Sequence, residues 1–203
     1  GEWLQAEYQI PMAEYEKLAP AFNPVLFDAE EWVKLAKNAG FEYLVVTSKH
    51  HDGFALWPSK YSNYSVAQTP WKNGKGDVVR EFVDACRKYG LKVGLYYSPA
   101  QWGEHAIPFS NAKEYDDYFI NQIGELLTEY GKIDYLWFDG CGSEGHVFDK
   151  KRIVSEIERM QPEILTFCDP EWFPCVRWCG NEAGDTRESE WSVIPTAFYT
   201  PEE

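Results

Sequence analysis

The sequence predicts an α/β fold, a (β/α)₈ barrel of the TIM type that is incomplete, and three observations support this prediction. Short apolar segments alternate with amphipathic ones, a pattern typical of parallel strands covered by helices. Polar side chains follow the apolar segments where the strands should end, as in barrels whose site lies at the carboxyl end of the sheet. No glycine-rich phosphate-binding motif follows a predicted strand, which disfavours a nucleotide-binding sheet.

The first predicted helix has a capping-box pattern, with Asp28 as the cap and Glu31 three residues later, and it ends at Gly40. Its apolar residues fall on one helical face: Trp32, Leu35, Ala36 and Ala39. A helix of this pattern packs its apolar face on a core. The predicted strand YLVVT follows directly.

Three more strand–helix units follow along the chain. Helices are predicted from Asp77 to Gly90, from Ala112 to Tyr130 and from about Asp149 to Met160. The strands that follow these helices are KVGLYYS, IDYLWFDG and EILTFC. The apolar residues predicted to share one face are Val79, Phe82, Val83 and Cys86 in the second helix, and Tyr115, Phe119, Ile123, Leu126 and Tyr130 in the third.

The number of these units bounds the domain organisation. Four strands and four helices in 203 residues fall short of a whole barrel, which typically takes about 250 residues. We therefore expect residues 1–203 to form one partial catalytic barrel domain, with the first strand and the last strands missing and no second domain. A partial barrel leaves sheet edges unpaired, so an additional domain or subunit could complete it.

The composition is that of a folded, acidic protein. Hydrophobic residues make up 44% of the chain, and 19 Lys and Arg stand against 33 Asp and Glu, giving a net charge of −14. Nucleic acids and anionic membranes are bound through basic surfaces, so neither is an expected partner. The sequence shows no apolar run long enough to cross a bilayer and no signal-like opening segment.

Aromatic residues and cysteines add two further indications. Aromatic residues make up 17% of the chain, including 9 Trp, which suits stacking on sugar rings but equally suits a larger core. The 5 Cys are odd in number and scattered, which argues against a disulfide framework. Cys175 and Cys179 could form half of a zinc site, but no second Cys/His pair at ligand spacing follows them.

The stretch TSKHHDGFALW, residues 47–57, puts four consecutive ionisable residues behind the apolar run FEYLVV. They are Lys49, His50, His51 and Asp52. Unpaired charges are costly to bury, so the patch is predicted to lie in a cleft at a strand exit. The two histidines could contact sugar hydroxyls, bind a metal or form a structural pair bonded to the backbone. Adjacent residues of a strand point in opposite directions, which favours sugar contact over metal.

Two carboxylates are candidates for acid–base and nucleophilic chemistry. Asp139 ends the apolar strand YLWFDG, where a nucleophile would be rigid yet accessible, although a strand-ending Asp can simply cap a turn. Glu182 lies in VRWCGNEAG between Trp178 and Trp191; alone, it would be an ordinary surface glutamate. As a pair they fit retaining glycoside hydrolysis, which needs two carboxyls about 5–5.5 Å apart, and apolar surroundings would keep the acid protonated.

Six segments of the chain, in order, resemble the α-L-fucosidases of glycoside hydrolase family 29. They are GEW, FNPVLFDAEEWVKLAKNAG, TSKHHDGFALWPSK, GLKVGLYYS, YGKIDYLWFDG and RWCGNEAG. The resemblance covers nearly the whole chain and implies a retaining exo-glycosidase that releases terminal α-L-fucose, with no cofactor and no metal. It also implies a fucosylated oligosaccharide or glycan as partner, and a secreted or periplasmic location would suit that substrate. The family's first barrel strand, with a His-Trp-Gly motif, is not present in this sequence.

The resemblance implies roles for individual residues. The Asp of WFDG is the family's nucleophile, which is Asp139 here. The GNEAG loop resembles that of the branch acting on α-1,3/1,4-linked fucose, which makes Glu182 the acid/base, with Glu144 as the alternative. The pocket residues implied by the motifs are Glu2, Trp3, His50, His51, Trp137 and, in LYYS, Tyr97 rather than Tyr96. Trp57, as an aromatic contact for the fucose methyl group, and Trp191, beside Glu182, complete the predicted substrate-binding set.

Two other functions remain open from the sequence. The chain could be a catalytically silent fucose-binding barrel or an inactive fragment, in which case fucose would bind without turnover or not at all. A metal-dependent TIM-barrel hydrolase would use histidines and carboxylates at strand ends as ligands, and a chelator would inactivate it.

Overall fold

The computed structural model describes residues 3–102, 112–139, 146–167, 176 and 183–184. Its centre is a parallel sheet of β1 (Tyr43–Lys49), β2 (Lys92–Tyr97), β3 (Tyr135–Phe138) and β4 (Leu165–Phe167), in the spatial order β1-β2-β3-β4. Strands that are neighbours both in sequence and in space, each joined to the next through a helix, are the arrangement of a (β/α) barrel. The described strands form part of such a barrel.

Six α-helices accompany the sheet in the described residues. They are α1 (Leu4–Glu7), α2 (Met12–Tyr15), α3 (Ala29–Asn38), α4 (Val78–Tyr89), α5 (Ala112–Glu129) and α6 (Lys150–Met160). Short 3₁₀ helices span Glu16–Ala21, Val66–Gln68 and Trp71–Gly74. The four predicted helices correspond to α3 to α6, whereas the helical turns before Asp28 were not predicted, because they are too short to show a periodic pattern.

An aspartate caps the start of α3, α4 and α6. Asp28, Asp77 and Asp149 each accept a hydrogen bond from the backbone amide three residues later, at 3.0, 2.8 and 3.1 Å respectively. Each bond satisfies one of the amides that a helix N-terminus leaves unpaired. At the other end of α4, Gly90 has a φ of 68°, a left-handed conformation that ends a helix at low cost for glycine.

The main core lies between the sheet and the helices α3 to α6. The residues predicted to face inward from α4 and α5 are all buried there: Val79, Phe82, Val83, Cys86, Tyr115, Phe119, Ile123, Leu126 and Tyr130. From the sheet, Val93, Leu95, Tyr97, Leu136 and Phe138 join the same cluster. The prediction for these two helices is confirmed, because burial follows the 3.6-residue period.

The apolar face predicted for α3 is wrong for Trp32, Leu35 and Ala39, whereas Ala36 is partly buried and packs on the core as predicted. Trp32 is 56% and Leu35 is 73% exposed, while Ala29 and Val33 are buried. Trp32 packs edge-on against Phe27 at 5.0 Å. The face of α3 directed to the core is that of Ala29, Val33 and Ala36, which is rotated from the predicted one.

The strand β1 contains an irregularity that directs Lys49 and the two histidines after it to different places. The register with β2 shifts between Thr47 and Lys49, so that Thr47 pairs with Tyr96 and Lys49 pairs with Tyr97. Such a bulge changes the face to which the following side chains point. Lys49 is thereby fully buried on the helix side of the sheet, with its Nζ 4.3 Å from the centre of the Tyr97 ring, whereas the histidines that follow lie beside Asp139.

No described helix is both long and apolar enough to span a membrane. Among the cysteines, Cys86 is free and buried in the core, and burial raises the pKa of its thiol to about 11. The other four cysteines lie outside the described residues.

Candidate active site

Asp139 follows β3 directly, at the carboxyl end of the sheet, and its side chain is 23% exposed. Its Oδ2 atom accepts a hydrogen bond from the Tyr96 hydroxyl at 2.8 Å. His51 Nε2 lies 3.6 Å from the same oxygen. A carboxylate oriented from two neighbouring strands and still reached by solvent is placed as a nucleophile or a metal ligand would be.

His51 is held from behind by residues that follow β2. Its ring is buried, and its Nδ1 atom lies 2.5 Å from Ser98 Oγ. The Trp102 amide donates to the His51 carbonyl oxygen at 2.7 Å, and the Trp102 ring lies 4.6 Å from the imidazole. The ring of His51 therefore has little rotational freedom and presents its Nε2 edge to Asp139.

A row of stacked rings crosses the sheet next to Asp139. His50 stacks on Tyr96 at 5.3 Å, Tyr96 on Trp137 at 4.9 Å, and Trp137 on Phe167 at 4.7 Å with an interplanar angle of 3°. Cross-strand pairs in register place such rings on one face, and Tyr96 is paired with Trp137. Because the rings cover each other's faces, it is their edges that can contact the apolar C–H groups of a sugar.

Trp3 forms a second aromatic contact in the same cluster. Its ring lies 4.4 Å from that of Trp102 and 5.9 Å from the imidazole of His51, and Trp3 is 43% exposed. The structure thus brings together five of the predicted residues: Trp3, His50, His51, Trp137 and Asp139. Glu2, Glu182 and Trp191, as well as the alternative acid Glu144, lie outside the described residues.

Two predicted pocket residues lie on the other side of the sheet. Tyr97 is fully buried, and its hydroxyl donates to Gln122 Oε1 on α5 at 2.7 Å. Trp57 is 1% exposed, and its Nε1 donates to Glu125 Oε2 at 2.9 Å. Both side chains contribute to the core between sheet and α5, so the structure does not bring them to Asp139.

Tyr96 takes the position for which Tyr97 was predicted. Alternate residues of a strand face opposite sides, and the pairing of Tyr96 with Trp137 puts Tyr96 on the side of Asp139. Neither the support from Ser98 nor the contact of Trp102 with His51 was predicted from the sequence. The polar segment after KVGLYYS was the available signal, because residues that follow a barrel strand line its mouth.

The cluster contains one set of side chains that could hold a metal ion within the described residues. His50, His51 and Asp139 each offer one ligand atom, and these atoms lie within 4.8 Å of one another. Two imidazoles and a carboxylate are suitable ligands for zinc. The same three groups can equally bind the hydroxyl groups of a sugar, so the geometry allows both chemistries.

Lys49 lies directly behind the cluster. Its Nζ atom is buried and has no hydrogen-bond partner in the described structure, and its neighbours are the rings of Tyr97 and Tyr118 at 4.3 and 5.4 Å. Burial lowers the pKa of the Lys49 amine to about 7, against a smaller opposing effect of Asp52. Its amine therefore belongs to the core beneath the site.

Comparison with known proteins relates this geometry to a family. Residues 1–169 match the family model described as alpha-L-fucosidase. Alpha-L-fucosidase 1 of Arabidopsis thaliana is 42% identical over 178 residues, which cover 85% of this chain and 34% of that protein. The chain therefore spans about a third of the length of this relative.

Solved structures of α-L-fucosidases are also similar to this chain. A putative α-L-fucosidase from Bacteroides ovatus is 46% identical, with a TM-score of 0.76 over 87% of this chain and 30% of that one. The α-L-fucosidase AlfC from Lactobacillus casei, in complex with α-L-fucose product, is 37% identical, with a TM-score of 0.67 over 81% of this chain and 59% of that one. With a family model that covers most of its length, this chain belongs to the α-L-fucosidase family.

Proposed function

We propose that this chain carries the nucleophile half of a retaining exo-glycosidase that hydrolyses terminal α-L-fucose from fucosylated glycans. The observation that supports this most directly is the Asp139 carboxylate, which Tyr96 orients at a strand end between His51 and the stacked rings. A relative of the chain was solved in complex with α-L-fucose product, which supports fucose as the sugar.

The proposed reaction has two steps. The Asp139 carboxylate attacks the anomeric carbon and forms a covalent fucosyl–enzyme bond, while Glu182 donates a proton to the departing glycosidic oxygen. Glu182 then removes a proton from water, and the resulting nucleophile breaks the bond to Asp139 and releases fucose with its anomeric configuration retained. Each group ends in its starting protonation state.

The remaining residues of the cluster bind and orient the sugar. His50 and His51 contact hydroxyl groups, and the rings of Trp3 and Trp137 contact the apolar face and the methyl group of fucose. Tyr96 fixes the orientation of the nucleophile by its hydrogen bond to Oδ2. Glu2 and Trp191 are proposed to line the same pocket on the resemblance alone.

The linkage and the domain organisation are also proposals. The GNEAG segment supports a preference for α-1,3/1,4-linked fucose, which hydrolysis of a branched trisaccharide in competition with an α-1,6-linked disaccharide would test. Residues 1–203 are proposed to form one partial barrel domain, which an additional domain or subunit completes.

The test is release of the aryl alcohol from an activated aryl α-L-fucoside. Asp139→Ala should abolish turnover, because no other group replaces the nucleophile. Asp84→Ala, which removes a carboxylate that is 62% exposed on α4, is the control and should leave turnover unchanged. Fucose binding without turnover in the unaltered chain would contradict the proposal and indicate a binding barrel.

The histidine–aspartate cluster makes a metal-dependent hydrolase the second candidate, because its three ligand atoms lie close together. Dialysis against a chelator separates the two functions. The proposed mechanism uses only protein carboxylates, so turnover should survive dialysis. Loss of turnover that zinc restores would favour the metal-dependent reaction.

A further inference from the structure

Three side chains at the carboxyl end of the sheet lie close enough to share a metal ion. One ligand atom from each of His50, His51 and Asp139 lies within 4.8 Å of the other two, and His51 Nε2 is 3.6 Å from Asp139 Oδ2. In a tetrahedral zinc site with bonds of about 2.0–2.1 Å, neighbouring ligand atoms are about 3.4 Å apart. His51 and Asp139 are therefore already near the required separation, and a small movement of the His50 ring completes the set.

Hydrogen bonds from neighbouring groups hold two of these side chains, as is usual for metal ligands. Ser98 Oγ lies 2.5 Å from His51 Nδ1, and the Tyr96 hydroxyl donates to Asp139 Oδ2 at 2.8 Å. Contacts of this kind fix the orientation of ligating imidazoles and carboxylates and raise the affinity of a site for its ion. This part of the site is thus formed before an ion binds.

His50 supplies an independent indication of a ligand. Its Nδ1 atom is buried and has no hydrogen-bond partner in the described structure, although the residue as a whole is partly exposed. Buried polar atoms without a partner are uncommon in folded proteins, because burial removes their bonds to water. A cation bound by the imidazole offsets this cost.

The three donor groups select the kind of ion. Two imidazole nitrogens and a carboxylate oxygen suit zinc and cobalt, whereas magnesium and calcium prefer sites built from oxygen atoms. Three protein ligands leave a fourth position for water. The side chain of Asp139 is 23% exposed, so an ion can reach it from the solvent.

We propose that His50, His51 and Asp139 form an inhibitory zinc site, in which the ion occupies the carboxylate that would attack the anomeric carbon. Zinc and the sugar then exclude each other. The inhibition rests on the proposed function, because it requires Asp139 to be the nucleophile, whereas binding of the ion does not. In a metal-dependent hydrolase zinc would have the opposite effect and support turnover.

The direct test of binding uses cobalt(II), which accepts the ligands of zinc and absorbs visible light when it is bound in a four-coordinate site. The chain is dialysed against a chelator and then against buffer, and cobalt(II) is added stepwise. We expect visible absorption that saturates and that zinc abolishes by displacing the cobalt. Absence of binding would overturn the proposal. So would strong near-ultraviolet absorption of cobalt–thiolate bonds in place of this spectrum, since cysteines would then be the ligands.

Variants identify the ligands. Asp139→Asn and His50→Gln should each weaken cobalt binding by at least about a hundredfold, since loss of a supporting residue alone costs about tenfold to a hundredfold. Asp84→Asn, which changes a carboxylate that is 62% exposed on α4, is the matched control and should bind cobalt as the unaltered chain does. Circular dichroism shows that each variant is folded. Either ligand variant alone is decisive, because unchanged affinity would overturn the proposal.

Turnover of the activated aryl fucoside measures the inhibition. Zinc at about ten times its dissociation constant should raise the apparent KM about elevenfold and leave kcat unchanged, as expected for an ion that competes with the sugar. Magnesium at the same concentration should change neither. Activation by zinc, or inhibition that excess fucoside does not relieve, would overturn the proposal.

The two hypotheses fail differently. If cobalt binds through these ligands but the unaltered chain neither binds fucose nor turns over the fucoside, the proposed function fails and the ion site stands. If the chain turns over the fucoside and zinc neither binds nor inhibits, the proposed function stands and this inference fails.

Discussion

Tyr96 and Tyr97 are adjacent residues of one strand with opposite roles. The hydroxyl of Tyr96 donates to Asp139, whereas that of Tyr97 donates to Gln122 within the core. The choice between them depends on the alignment of β2 with β3, and a single strand sequence does not contain that alignment. This is the physical reason why the sequence pointed to the wrong tyrosine.

The pair offers an internally controlled experiment. Tyr96→Phe should lower kcat/KM by about tenfold to a hundredfold, because a hydrogen bond to a charged group contributes about 1.5–3 kcal/mol, and it should leave the melting temperature nearly unchanged. Tyr97→Phe should leave kcat/KM nearly unchanged and lower the melting temperature, since it leaves the buried amide oxygen of Gln122 unpaired. Activity assays and thermal denaturation of both variants check this, and reversed effects would contradict the assignment.

Lys49 should make the stability of the chain depend on pH. Its pKa is about 7 in the folded state against 10.5 when exposed, so between these values the unfolded state binds more protons and stability rises with pH. Lys49→Met should abolish this rise of stability with pH. At pH 7 the variant should be more stable than the unaltered chain by about 1–3 kcal/mol. Urea denaturation at several pH values measures it.

The control for Lys49 is a lysine on the surface. Lys17 is 67% exposed and paired only with a neighbouring exposed glutamate, so Lys17→Met should leave the dependence on pH as it is in the unaltered chain. A Lys49→Met variant that keeps the full rise in stability between pH 7 and 10.5 would contradict the assignment of this rise to the buried Lys49 amine.

At the level of elements, α4 depends on Asp77 more than α3 depends on Asp28. Both residues cap a helix, but Asp77 Oδ2 also accepts from the Tyr130 hydroxyl at 2.7 Å. Asp28→Ala should cost about 1 kcal/mol of unfolding free energy, and Asp77→Ala about 1 kcal/mol more, because a second bond is lost. Denaturation of both variants tests this, and equal losses would show that the tyrosine bond contributes nothing.

Some features of the helices and strands could be predicted from the sequence, and others could not. The alternation of strands and helices, the aspartate caps and the buried faces of α4 and α5 follow from local periodicity, which a single sequence contains. The bulge in β1 and the outward direction of Trp32 do not, because both depend on contacts between elements distant in sequence. For the site, the motifs indicated Asp139 and the histidines, but not the support from Ser98.

At the level of the whole molecule, the described sheet places the candidate nucleophile, the histidines and the stacked rings at the carboxyl ends of neighbouring strands. This is where barrel enzymes carry their catalytic groups. The chain spans about a third of its plant relative, and the proposed acid Glu182 lies outside the described residues. Asp139 is therefore the described residue on which the proposed activity depends most.

The measurement that tests this claim most directly is trapping of the covalent intermediate. A 2-deoxy-2-fluoro fucoside with a good leaving group slows breakdown of a glycosyl–enzyme, and mass spectrometry of peptides locates the attached sugar. We predict one fluorofucosyl group, bound to Asp139 and absent from Asp139→Ala. A sugar attached to another residue, or turnover without any covalent intermediate, would contradict the account.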